Sequence, residues 1–140
     1  MNKIKIILLI LSTVMLLSAC EDPEKGKLDS RAMEYWRYKI NKDFDKAYEY
    51  LSPGWRSTES KETFARRMSL SVVKWLSVKI KEKICSEKDL CVVVFEIVYE
   101  YRFKGGVGGE IQVPSEVKET WMMKGNVWYH VPIQSNIKQK

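Results

Sequence analysis

Histidine is almost missing, with His130 the only one in 140 residues, and cysteine is scarce at three. One histidine and no close cysteine pair cannot supply the ligand set of a structural zinc site, so no metal is expected. The five residues between Cys85 and Cys91 rule out the Cys-x-x-Cys spacing of dithiol redox enzymes. The glycine run at Gly105–Gly109 is followed by no Gly-Lys-Ser/Thr and opens no helix, which excludes a phosphate cradle and leaves a mobile hairpin loop as the ordinary reading. No internal repeat is present. The apolar run from Ile6 to Leu17 falls short of the roughly 20 residues a helix needs to cross a bilayer, so a permanent span is disfavoured. Against 18 acidic side chains stand 24 basic ones, interspersed along the chain. Nucleic-acid binding calls for a basic stripe with interleaved aromatics, and it is set aside. Attraction to an anionic lipid surface stays open.

What is there begins with an address. Lys3 and Lys5 precede the Ile6–Leu17 run and small residues follow it, the order of a secretory signal. The segment Leu17-Ser18-Ala19-Cys20 resembles the lipobox of bacterial lipoproteins. The resemblance implies cleavage after Ala19, a diacylglyceryl thioether (with palmitate a natural label) on Cys20, and a membrane partner held through that lipid. Two or more acyl chains make a stable anchor where one makes a marginal one. An ordinary signal peptide with a coincidental cysteine is the alternative. Glu21 after Cys20 implies, by the same resemblance, an outer-membrane protein facing the periplasm if the host is Gram-negative. Once Cys20 is assigned to lipid, Cys85 and Cys91 remain as a pair, and an oxidising compartment permits a disulfide between them. Two reduced, buried thiols are the alternative.

The expected organisation is a signal peptide over 1–19, a lipidated cysteine and flexible tether over 20–28, one domain over 29–133 and a polar tail over 134–140. Asp29 or Ser30 caps a first helix reaching about Lys39, with Ala32, Tyr35, Trp36 and Ile40 as its apolar stripe. Asp43 caps a second, with Phe44, Ala47, Tyr48 and Leu51 at i, i+3, i+4 and i+7, ended by Pro53-Gly54. A third presents Phe64, Ala65 and Met68. From Val72 the period becomes two: Leu76, Val78, Ile80 and Ile84 face inward on one strand, and Val93, Phe95, Ile97, Tyr99, Tyr101 and Phe103 on the next. Those faces agree when Ile84 opposes Cys91, so a skewed or bulged end is expected at the cysteines. A third strand runs from Glu110 to Lys124 with a break near Pro114-Ser115, and Gly125-Asn126 turns the chain into a last strand over Val127–Val131. Helices grouped before an antiparallel four-stranded sheet make the class α+β.

The Trp36 helix, the segment Asp43-Phe44-Asp45-Lys46-Ala47-Tyr48 running to Leu51-Ser52-Pro53 and Arg56, and the closing Gly125-Asn126-Val127-Trp128-Tyr129 resemble the nuclear transport factor 2-like (cystatin-like) superfamily. That resemblance implies a curved sheet, a cone shape and a pocket used for binding, dimerisation or, in some members, catalysis. Tyr35, Tyr48, Tyr99, Tyr101, Trp121 and Met123 are then candidate lining residues, although aromatics at such spacing are more often plain core. Glu119 shares a face with Val117, Trp121 and Met123, and a desolvated carboxylate there would suit a general base. It has no second acid or histidine placed to help it. His130 is expected on the outer face or near the end of the last strand, solvated, and Arg56, Arg66 and Arg67 as an anion-binding rim unless Arg56 pairs with a carboxylate under the second helix. No cofactor is expected. The function that follows is a membrane-anchored, non-enzymatic module binding an envelope protein or small ligand. A small lipid-anchored enzyme using Glu119 and a structural homodimer are the alternatives.

Overall fold

The computed structural model describes residues 23–102 and 109–133. The signal segment, Cys20, Phe103, most of the glycine loop and the tail over 134–140 lie outside the described residues. Four helices, α1 (Pro23–Ile40), α2 (Phe44–Tyr48), α3 (Pro53–Arg56) and α4 (Lys61–Ser69), precede four strands, β1 (Val73–Glu87), β2 (Leu90–Arg102), β3 (Glu110–Lys124) and β4 (Val127–Val131). The strands form one antiparallel sheet in sequential order, so the fold is α+β. No helix among the described residues is long and apolar enough to cross a membrane.

The first helix starts earlier than its caps suggested. Pro23 occupies the first helical position, where a missing N–H costs nothing, and Leu28 is fully buried. Residues 23–28, expected within the tether, are helical. Leu28, Ala32, Tyr35 and Trp36 recur on one helix face and all are buried. The helix stops at Asn41-Lys42. There Asp43 N–H donates to the Tyr38 carbonyl at 2.9 Å and Lys42 N–H to the Lys39 carbonyl at 3.1 Å, the paired bonds of a Schellman cap. Lys42 takes the left-handed position of that cap, φ 60°. Glycine normally holds this place, and a side chain there costs about 1 kcal/mol. Lys42→Gly should accordingly raise stability by about 1 kcal/mol in urea unfolding. A neutral or destabilising result would show that the lysine side chain holds the turn.

Asp43 does not cap α2 with its side chain but pairs with Lys46 at 2.7 Å. Phe44, Ala47, Tyr48 and Leu51 are buried as their spacing requires. Pro53-Gly54 does not end that helix. Instead Pro53 opens α3, a single turn capped by Ser52, whose hydroxyl accepts from Trp55 N–H. Ser60 caps α4 in the same way, accepting from Thr63 N–H.

In the sheet, β2 buries Cys91, Val93, Phe95 and Ile97. The expected register at the hairpin end is corrected: Cys85 stands squarely opposite Cys91 and Ile84 opposite Val92. Register shifts between Trp75 and Ser77, Ile80 and Glu82, and Cys85 and Glu87 absorb the mismatch. Each bulge exchanges the faces of the residues after it. Ile84 therefore turns outward, 52% exposed, while Cys85 turns in and forms a disulfide with Cys91. No break interrupts β3 at Pro114. That residue pairs with Val98 on one side, and β4 reaches only Thr120–Lys124, so the proline lies on an edge where its missing N–H is not needed. The Gly125-Asn126 turn has φ of 59° and 60°, the doubly left-handed conformation of a tight hairpin.

Candidate functional site

Two features meet at the C-terminal end of α1, a buried cluster of ionisable groups and an open cleft. Lys39 belongs to both. It lies three residues after Trp36 and four after Tyr35, so the stripe that buries those rings also draws the lysine inward. Its ammonium sits 3.4 Å from the centre of the Trp36 ring, 4.8 Å from Tyr35 and 5.0 Å from Trp75. On its far side it faces the Glu119 carboxylate at 3.6 Å, with the two side chains 8% and 5% exposed. Burial pushes the Lys39 ammonium below its ordinary value, and Glu119 pushes it back up.

Glu119 points into the core from β3, as its alternation with Val117 and Trp121 indicated. Its Oε2 has no hydrogen-bond partner among the described residues. Around it stand Tyr35, Trp121 and His130, their rings 5.2 to 5.8 Å apart. Burial, then the Glu119 charge, raises the Tyr35 phenol well above its usual range, so it stays protonated.

The placement of His130 is corrected: it is buried, not solvated on the outer face. It shares the parity of Trp128, two residues back, and both face the core. The segment Tyr50–Ser52 runs along the free edge of β4. His130 N–H donates to the Tyr50 carbonyl and Ser52 N–H to the His130 carbonyl, each at 2.8 Å. Burial lowers the His130 pKa from its usual 6.5, Glu119 opposes this and Lys39 reinforces it. The fold thus holds a neutral ring, while the unfolded chain protonates it below about pH 6.5. Stability should therefore be full above that pH and fall as the pH drops toward the folded-state value. Thermal melts of wild type and His130→Phe between pH 7.5 and 5 check this. The variant should lose part of the slope, and parallel curves would refute it.

The cleft, about 570 Å³, lies between the ends of α1 and α4 and the start of β1. Ile40, Phe44, Met68, Val72, Val73 and Trp75 give it apolar walls, and Lys39, Lys42, Lys74 and Glu100 give it charge. Lys74 lies 3.5 Å from Glu100.

None of the six expected lining residues lines this cleft. Tyr35 and Trp121 belong to the core. Tyr48 is buried and its hydroxyl donates to the Glu59 carbonyl at 2.7 Å. Tyr99 and Met123 pack partly buried against the core, and Tyr101 is half-buried on β2. Of the two expectations for Arg56, pairing with a carboxylate is the one observed, and the arginine rim is corrected. Arg56 pairs with Glu49 at 2.8 Å, and Arg67 grips Glu59 through two bonds of 2.8 and 2.9 Å. Arg66 is exposed on α4. No group of three metal-ligating side chains occurs among the described residues.

No family model matches the chain, and no curated protein does. Among solved structures it is similar to a SEC-C motif containing protein from Rhodopseudomonas palustris, known from a solution structure, with 18% identity, 69% of each chain covered and a TM-score of 0.48. The nuclear transport factor 2-like assignment is withdrawn. It rested on a few turn and helix residues, and the solved structure found is described as a SEC-C motif protein. At this score the likeness transfers no property of that protein to this chain.

Proposed function

We propose that the chain is an exported, membrane-tethered, non-enzymatic binding module that takes a small ligand in the cleft beside Lys39, Lys42 and Lys74. The cleft carries this reading. Its volume of about 570 Å³ falls within the usual size of small-molecule sites, and its apolar walls with a few charged groups match their chemistry. The Cys85–Cys91 bond supports export, because such bonds persist outside the reducing cytosol. With those two cysteines joined, Cys20 is the remaining thiol and the proposed lipid site.

Catalysis by Glu119 has less support. Glu119, Tyr35 and His130 do not line the cleft, so a substrate seated there would meet only Lys39 of the cluster.

Native mass spectrometry of the intact chain purified from membranes tests the binding half. Wild type should carry a small molecule that Ser71→Trp, which fills the mouth of the cleft, does not. A wild-type chain that carries nothing and binds no amphiphile at the cleft would sink the reading. Fractionation tests the tether: Cys20→Ala should leave the membrane pellet for the soluble fraction, and a variant that stays in the pellet would refute lipid on that sulfur.

A further inference from the structure

We infer that the ligand is an amphiphilic monoanion, a hydrocarbon tail ending in an anionic head. This rests on the cleft reading above and adds the chemistry of the occupant. Three lysines and one glutamate line the cleft. Lys39 and Lys74 face Glu119 and Glu100, which offset part of their charge. Lys42 lines the cleft, is exposed and forms no ion pair among the described residues. It also occupies the left-handed position where glycine would cost the chain less. A strained, non-glycine residue whose side chain lines a cleft is the pattern of a functional position.

The tail has its own evidence. Val72, 46% exposed, lines the cleft, and Leu70, 76% exposed, lies between the lining serines Ser69 and Ser71. Val72, Phe44, Met68 and Trp75 give the cleft an apolar lining that a hydrocarbon chain would remove from water, with Leu70 exposed beside it. A cation and an apolar lining in one cleft fit an anion with a tail. A cationic amphiphile would meet the net positive lining and be repelled.

Decanoate, decanol and decyltrimethylammonium carry the same tail with an anionic, a neutral and a cationic head. Backbone amide shifts of the intact chain, titrated with each below its micelle concentration, report both site and affinity. Decanoate should bind about tenfold more tightly than decanol, the size of one partly screened charged hydrogen bond. The cationic probe should be weakest. Lys42→Gly should raise the melting temperature yet bring decanoate to the affinity of decanol, a combination that a merely structural lysine would not produce. If decanol matches decanoate while both shift Met68 and Trp75, the anion is refuted and the cleft reading stands. If none of the three shifts the cleft residues, the cleft reading falls with it.

Discussion

Lys39→Met is expected to destabilise the domain by roughly 3 to 5 kcal/mol, the cost of stranding a buried carboxylate. The double variant Lys39→Met with Glu119→Leu is expected to recover to wild-type stability or above. The reason lies in where the pair sits. At 3.6 Å and almost fully buried, both ions have given up water. In return Lys39 gains one carboxylate oxygen and three aromatic faces, while Glu119 keeps one oxygen unpartnered. A half-satisfied buried pair contributes little by itself, yet losing one member leaves the other charge alone among Trp36, Trp121 and Tyr35. Urea unfolding of the wild type, both single variants and the double variant closes the cycle, with the slope checked for constancy. If the double loss equals the sum of the single losses, the two groups do not interact and the pair is refuted.

Cys85→Ala with Cys91→Ala is expected to cost about 2 to 2.5 kcal/mol, the chain entropy released when a loop of about seven residues is freed. The two residues oppose each other directly in the β1–β2 register, so the bond holds the bulged end of the hairpin together. Reduction of the wild type should reproduce most of the loss. An unfolding midpoint that does not move with reductant would show that hairpin pairing alone fixes this end.

The parts of the fold legible in the sequence were those governed by local rules. The face of β2 from Val93 to Tyr101 follows a period of two, and the Gly125-Asn126 turn follows from its residue types. Phe44, Ala47, Tyr48 and Leu51 follow from helical spacing. What escaped was set by partners distant along the chain. Three bulges in β1 changed which residues face inward, and nothing between Trp75 and Glu87 marks their positions. Pro114 read as a break, although a last strand of Val127–Val131 after a tight turn reaches only Thr120–Lys124 and leaves the proline on an edge. Glu119 was legible from its parity, but its partner was not, since Lys39 lies eighty positions earlier. A signal for Lys39 did exist: it continues the stripe of Tyr35 and Trp36, and a cation on an apolar face needs a buried counter-charge. His130 was legible too, had Trp128 set its parity.

The first helix also fixes a distance. Its 18 residues span about 27 Å, and the three residues from Cys20 to Pro23 can add roughly 10 Å at full stretch. The Asp29–Lys83 ion pair holds the start of this helix beside the disulfide end of the sheet, while Ile40 at its finish borders the cleft. With the proposed lipid at Cys20, the cleft would lie at the end of α1 farther from the anchor.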